Sequence, residues 1–175
     1  MTGLLRKFLQ GPAGTAAVEF AFVVPVMVTL AGGSFELCRA FHAYDAANRL
    51  ATQYAFVWAD CSDSPTGTCL TEISSYTSPS ALANIAPELV TNNINLRMFQ
   101  VTVNQGNVNV TYASPSGATP TSAEQAAATS ALNNGQTGVI VSISYVHSLL
   151  AFSALMSPII GSSYTMTFTV VQVKA

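Results

Sequence analysis

The succession of apolar and polar stretches divides the chain into four parts, and the first two define its N-terminal region. Residues 1–14 form a short leader that carries Arg6 and Lys7. Residues 15–35 form an almost uninterrupted apolar run, close to the roughly 20 residues that a helix needs to cross a bilayer. Because the basic pair precedes this run, the positive-inside rule predicts a cytoplasmic N-terminus and places the rest of the chain outside.

The third part, residues 36–60, is predicted to continue the same helix in amphipathic form. Apolar side chains recur there at spacings of three and four, which predicts a face that packs on the domain that follows. This face comprises Leu37, Phe41, Tyr44, Ala47, Ala51, Tyr54 and Trp58. The opposite, polar face comprises Glu36, Arg39, His42, Asp45, Asn48, Arg49 and Gln53. Pro25 is expected to kink the membrane part of the helix.

The fourth part, residues 61–175, is predicted to form a small domain of helices and strands. Ser78 before Pro79 marks the start of one helix, and the capping-box spacing of Thr121 and Glu124 marks another. Alternating apolar and polar residues predict strands at about 96–103, 108–112, 139–145 and 164–170. This alternation is typical of an antiparallel sheet with one buried and one polar face. We therefore expect an α+β fold in which the long helix packs on a small antiparallel sheet.

The charge content narrows the class of protein. Only 8% of the residues are charged, and the formal net charge is −2. Soluble globular proteins carry about 25% charged residues, so this composition is more typical of secreted or surface-appendage proteins. The sequence holds no basic patch, which argues against nucleic acid as a partner.

The three cysteines bear on the compartment. Cys61 and Cys69 flank a polar stretch in which Pro65 and Gly67 favour a turn, so the two thiols are expected to form a disulfide. Such a bond requires an oxidising compartment, in agreement with the predicted topology; the alternative is two unpaired thiols. Cys38 is either a small packing residue or a thiol that forms an intermolecular disulfide.

Catalytic chemistry finds little support. The only histidines, His42 and His147, stand far apart in sequence and without clustered carboxylates. The sequence contains no Gly-x-Ser-x-Gly elbow, no phosphate-binding loop and no dinucleotide fingerprint. We therefore expect no catalytic residues, no metal, no cofactor and no enzyme activity.

Glu19 is the informative charge, because it lies inside the apolar run. A carboxylate in hydrocarbon is costly, and such a residue is a functional candidate by default. The alternative is a shallow position near the cytoplasmic interface, where the cost is small.

The residues around Glu19 resemble the processing site of Flp-type prepilins and of TadE-like pseudopilins. In those families a small residue precedes the scissile bond, and a glutamate followed by an aromatic residue stands at the fifth position after it. Gly14, Thr15, Glu19 and Phe20 match this pattern. The stretch 16–25 resembles the TadE-like membrane segment, and the apolar 148–158 connection with its flanking strands resembles the C-terminal part more weakly.

The resemblance implies a pilin-like fold and a role in building a Tad (Flp-type) pilus. A prepilin peptidase would cut after Gly14, and Glu19 would pair with the α-amine of a neighbouring subunit. The expected protein is a minor pilin or pseudopilin, anchored in the inner membrane with a periplasmic domain, whose partners are that peptidase and other pilins or pseudopilins of the system.

Two other interpretations stay open. The chain could be an unprocessed single-pass membrane protein whose outer domain binds a ligand, or a secreted protein cut after Ala31. The apolar residues 148–161 either complete the core or form a contact surface for a partner or the bilayer.

Overall fold

A computed structural model describes residues 12–61, 69, 73, 75, 78–150 and 161–174. Its first element is a single helix, α1, which spans Pro12–Ala59 and contains Pro25. The chain divides into two compact units, one made of Met1–Arg39 with Leu149–Ser162 and one made of Ala40–Ser148 with Ser163–Ala175. The predicted long helix is confirmed, whereas the leader up to residue 11 and most of the apolar 148–161 connection lie outside the described residues.

In the first unit, two hydroxyl side chains of α1 are satisfied within the helix. The Thr29 hydroxyl donates to the Pro25 carbonyl at 2.7 Å, and the Ser34 hydroxyl donates to the Leu30 carbonyl at 2.8 Å. Such bonds suit a helix in hydrocarbon, where an unsatisfied polar group costs several kcal/mol. Among the described residues, one helix, Ala16–Ala59, is long and apolar enough to cross a membrane, which fits a single-pass anchor.

The second unit is built on a four-stranded antiparallel sheet in the order β2-β1-β3-β4. Its strands are β1 Ile94–Asn104, β2 Asn107–Ser114, β3 Thr137–Ser148 and β4 Ser163–Val173. Gln105 and Gly106 join β1 to β2 with φ of 51° and 79°, as a two-residue hairpin turn requires. The predicted α+β class and all four predicted strands are confirmed.

Two short helices whose full extent is described lie in the second unit, and both begin where local signals predict. Helix α2, Pro79–Ile85, starts after Ser78, whose hydroxyl accepts from the Ala81 amide. Helix α3, Ser122–Ala131, starts with a full capping box in which the Thr121 amide donates to Glu124 at 2.6 Å. A turn of 3₁₀ helix, Thr91–Asn93, leads into β1.

The expectation of one buried and one polar sheet face is wrong for β3. Val139, Val141 and Ile143 pack in the core on the α1 side, whereas Ile140 packs with Phe99 in a second core cluster. Helix α3 covers this second face with its buried Ala128, and Leu132, directly after the helix, packs in the same cluster. The central strand is therefore buried on both sides, and the fold has three layers in the order helix, sheet, helix.

The predicted face of the α1 continuation is correct from Tyr44 onward; the Tyr44 ring is half-exposed but packs edge-to-face on Phe168 of the sheet, with centroids 4.7 Å apart. Leu37 and Phe41 are 57% and 64% exposed, and Glu36, predicted on the polar face, is buried. The buried face comprises Ala43, Ala46, Ala47, Leu50, Ala51, Tyr54, Ala55, Trp58 and Ala59. Alanine dominates because the sheet supplies the large side chains that fill the core, so the helix must approach closely.

Candidate functional site on the N-terminal helix

The predicted cleavage site lies at the start of α1. The helix begins at Pro12, a residue favoured at the first helical position, so the Gly14–Thr15 bond falls in the first turn. The first four amides of a helix have no acceptor within it. The amides around the Gly14–Thr15 bond therefore lack acceptors within the helix.

Glu19 lies one helical turn beyond the predicted new N-terminus. A spacing of four residues puts Thr15 and Glu19 on one helix face, about 6 Å apart along the axis. Glu19 is exposed, and it makes no hydrogen bond or ion pair within the part of the chain that the structure describes. Its apolar neighbours Phe20 and Phe22 are 69% and 75% exposed. The carboxylate thus stands on an apolar surface, and any partner for it must come from elsewhere.

The length of the apolar stretch bears on the depth of Glu19. Phe20 to Phe35 is 16 residues, or about 24 Å of helix, which is less than the roughly 30 Å of hydrocarbon in a bilayer. At the other end, Glu36 forms an ion pair with Arg39 at 3.1 Å. Centring the stretch in a bilayer brings Glu19 to the edge of the hydrocarbon or inside it, and Glu19 lacks the arginine that Glu36 has.

The two predicted disulfide cysteines lie together in the second unit. Cys61, directly after α1, is joined to Cys69 by a disulfide with the Cα atoms 6.1 Å apart. Cys61 is buried in the core and its amide donates to the Trp58 carbonyl at 3.2 Å, whereas Cys69 packs against the same core. The expected turn at 65–67 lies outside the described residues. Cys38 is a free, exposed thiol.

The histidines do not form a site. His42 is exposed on α1, whereas His147 is buried between the rings of Tyr145 and Tyr164, with centroids at 6.2 Å and 5.2 Å. No group of three His, Cys, Asp or Glu residues that could hold a metal ion occurs in the described parts of the chain.

The sequence did not predict an apolar groove of about 450 Å³ in the second unit. It is lined by Gln53, Tyr54 and Val57 of α1 together with Ile73 and Ile85. Burial raises the pKa of the Tyr54 hydroxyl to about 12. The groove escaped prediction because Ile73 comes from a stretch without clear periodicity.

Comparison with known proteins bears on the N-terminal segment. No curated protein and no solved structure shows significant similarity to the chain. The family model described as TadE-like protein matches residues 14–55, which begin at Gly14 and include Glu19. The resemblance predicted from the sequence is thereby confirmed for this segment, which is similar to TadE-like proteins.

Proposed function

We propose that this chain is a minor pilin or pseudopilin that acts in the assembly of a Tad (Flp-type) pilus, by initiating, capping or anchoring it. A prepilin peptidase cuts after Gly14, and α1 then anchors the protein in the inner membrane with its sheet domain in the periplasm. One observation carries this proposal. Within the segment that matches the TadE-like family, Glu19 stands exposed on an apolar helix, at the fifth position after Gly14, and lacks a partner among the described residues.

Cleavage after Gly14 changes the electrostatics around Glu19. It frees an α-amine at Thr15 and removes Arg6 and Lys7, which leaves four basic side chains against eight acidic ones. The positive end of the helix dipole then favours the carboxylate, but its apolar setting still calls for a cation. The α-amine of a neighbouring subunit supplies one, and pairing is what makes a charge tolerable in an apolar setting. Such a pair fixes the axial register of adjacent helices.

The compartment follows from two further observations. The Cys61–Cys69 disulfide needs an oxidising space, which the periplasm provides. The basic leader residues keep the N-terminus in the cytoplasm, where the peptidase meets the Gly14 site. Besides the peptidase, the partners are other pilins or pseudopilins of the same system. The protein has no catalytic role of its own.

N-terminal sequencing of the protein from membranes of its host tests the cleavage. We expect a start at Thr15, and we expect Gly14→Leu to abolish it because the resemblance requires a small residue before the scissile bond. Gly11→Leu, the same change at another leader glycine, should leave the start at Thr15. A start at Met1 with an active peptidase would indicate an unprocessed anchor, and a start at Gly32 a secreted protein.

Counting pili on cells that express Glu19→Gln tests the register role. The variant keeps the size of the side chain and removes its charge, so we expect normal insertion and cleavage but loss of pili. Glu36→Gln is the matched control, because Glu36 already has Arg39 as its partner within the helix. Normal piliation by Glu19→Gln would exclude the pairing while leaving the cleavage result intact.

A further inference from the structure

The sheet of the second unit ends in an edge strand, β4, that lacks the usual protection against pairing. β4 pairs with β3 along one side, and within the described residues no other strand pairs with its second side. It is 11 residues long, keeps a continuous register with β3, and contains no charged residue and no proline. Proteins usually blunt an edge with charges, prolines or bulges, because its free amides and carbonyls pair with extended chains. A bulge does interrupt β2, the other edge, where the register shifts between Gln100 and Val101 of β1.

The hydrogen bonds of the sheet show which residues of β4 face outward. The Lys174 amide donates to the Thr137 carbonyl at 3.0 Å, so this residue directs its backbone toward β3. Successive residues of a strand direct their backbone groups to opposite sides, and the register is unbroken over the whole of β4. The residues whose amides and carbonyls face outward are therefore Thr165, Thr167, Thr169 and Val171. We call these four residues the open edge.

Exposed apolar side chains of α1 border the open edge. Tyr44 packs on Phe168 of β4, with ring centroids 4.7 Å apart, yet its side chain is half-exposed. Near the C-terminal end of β4, the exposed Phe56 and Val57 line a cleft of about 370 Å³ together with Val173. A strand added to the open edge would place the side chains of one of its faces beside these groups.

We propose that the open edge binds an extended segment of another protein, which adds to the four-stranded sheet as a further strand. The backbone groups select an extended polypeptide, because a strand satisfies a row of amides and carbonyls with this spacing. The apolar border selects apolar side chains at alternate positions of that segment. On the other face of β4, the threonines of the open edge favour residues with hydroxyl groups between them. This inference does not rest on the proposed pilus role.

A second copy of this chain fits the open edge less well. Helix α1 runs in the same direction as β4, because Tyr44 lies against Phe168 and Phe56 lies near Val173, further along both elements. Two β4 strands paired antiparallel about a twofold axis would therefore point their α1 helices in opposite directions, and the two helices could not anchor in one membrane. The β2 edge of a second copy is regular only over residues 107–110, before the bulge.

Amide hydrogen exchange of the purified full-length chain in detergent micelles, resolved by NMR, tests the proposal. The probe is a soluble peptide of about ten residues, the length of a long strand, that alternates valine and threonine between terminal lysines. We expect the peptide to slow exchange at the four residues of the open edge. The amides between them are already bonded to β3 and should change little, and those of β2 are the internal control for the other edge.

Three results would contradict strand addition at this edge. The first is no slowing at the open edge when the peptide is added, and the second is equal slowing at β2. The third is protection of the open edge before the peptide is added, because the edge would then already be paired, by this chain or by a second copy.

A proline variant separates backbone pairing from simple apolar adhesion. Thr167→Pro removes an outward amide that β3 does not use, so the sheet should stay folded. Without that hydrogen bond and with the ring in the way, the peptide should bind about tenfold more weakly, as measured by the peptide concentration that half-saturates the exchange effect. Thr167→Ala is the matched control, because it loses the same hydroxyl but keeps the amide, and it should bind like the unchanged chain.

Retained protection of Met166 and Phe168 in the proline variant shows that β4 still pairs with β3. Equal peptide affinity of the two variants would overturn the proposal, because binding would then not depend on the outward amide. The exchange pattern of the unchanged chain tests the proposal independently if the proline variant does not fold.

Discussion

The two halves of α1 use apolar residues in opposite ways. Between residues 16 and 37 the large side chains, among them Phe22 and Leu30, are exposed, and alanine has no special place. From residue 43 onward the positions that face the sheet are mostly alanines, and they are almost completely buried. A single helix thus presents bulky groups to its surroundings in one half and a flat, close-fitting surface to its own domain in the other.

The difference shows that apolar content does not reveal what a helix packs against. The first half exposes its large side chains, as a helix does when lipid or another chain covers it. In the second half, many of the large side chains of the core come from the sheet, among them Met98, Val141 and Phe168, so that helix and strands can approach closely. The share of alanine, rather than hydrophobicity, distinguishes the face that packs on the sheet from the surface that stays exposed.

The largest expected effect tests whether burial, rather than aromatic character alone, determines how much a side chain in the second half of α1 contributes to stability. Trp58 is fully buried and packs edge-to-face on Tyr112, with ring centroids 5.6 Å apart. Trp58→Ala should lower the free energy of unfolding by about 3–5 kcal/mol, because it removes this contact and leaves a cavity. Proteolysis of the full chain in detergent across a urea series measures the change.

Phe56→Ala is the matched control for Trp58→Ala. Phe56 lies two residues away in the same helix and is 56% exposed. Its removal should change the free energy of unfolding by no more than about 0.5 kcal/mol. Similar losses from both variants would contradict the assignment of the buried face.

The features that sequence alone predicted are those set by neighbouring residues. Ser78 and Thr121 begin helices because a side-chain oxygen reaches an amide three residues on, and the spacing shows this directly. The match of Gly14 and Glu19 to the processing pattern is local in the same sense. The hairpin turn at Gln105 and Gly106 likewise depends only on its own residues.

The features that sequence missed depend on contacts between distant parts of the chain. The Arg97 guanidinium forms an ion pair with the Glu124 carboxylate at 3.4 Å, and no local pattern pairs a strand residue with a residue in the first turn of a helix 27 positions later. The burial of β3 on both faces depends on α3 crossing the sheet. The start of this face of α1 was misjudged because Leu37 and Phe41 outweigh alanines in any apolar pattern, although alanines such as Ala43 supply most of the face that meets the sheet.

Removing cysteines should also have different effects in the two halves of α1, and the larger loss of unfolding free energy should be slightly smaller than that of Trp58→Ala. Cys61→Ser with Cys69→Ser opens a small loop at the end of α1 and should cost about 2–3 kcal/mol of unfolding free energy in the chain-entropy model. Cys38→Ser, which removes the exposed free thiol of the first half, should cost almost nothing. The same urea series checks both. Equal stability of the double variant and the unchanged chain would show that the bond contributes nothing to the fold.

Replacing an alanine by a larger residue should destabilise the protein in the second half of α1 but not in the first. Ala51 is completely buried against the sheet, so Ala51→Leu should lower the free energy of unfolding by about 1–3 kcal/mol. Ala21 is exposed, and Ala21→Leu should leave the unfolding midpoint of the sheet domain unchanged. A stabilising or neutral Ala51→Leu would mean that space remains between α1 and the sheet, and that close approach is not the reason for the alanines.

The smallest effect appears only in alkali and concerns Tyr54, on the buried face. Burial raises its pKa from 10 to about 12, so the folded domain holds this proton to a higher pH than the unfolded chain does. The resulting stability is complete below pH 10 and is lost as the pH rises through 12. Tyr54→Phe should flatten this decline in urea series taken between pH 9 and pH 12, whereas Tyr44→Phe, at a half-exposed position of the same helix, should keep it. If the free energy of unfolding declines equally with and without the Tyr54 hydroxyl, water reaches this side chain in the folded protein. The helix would then meet the sheet less closely at this position than the alanines indicate.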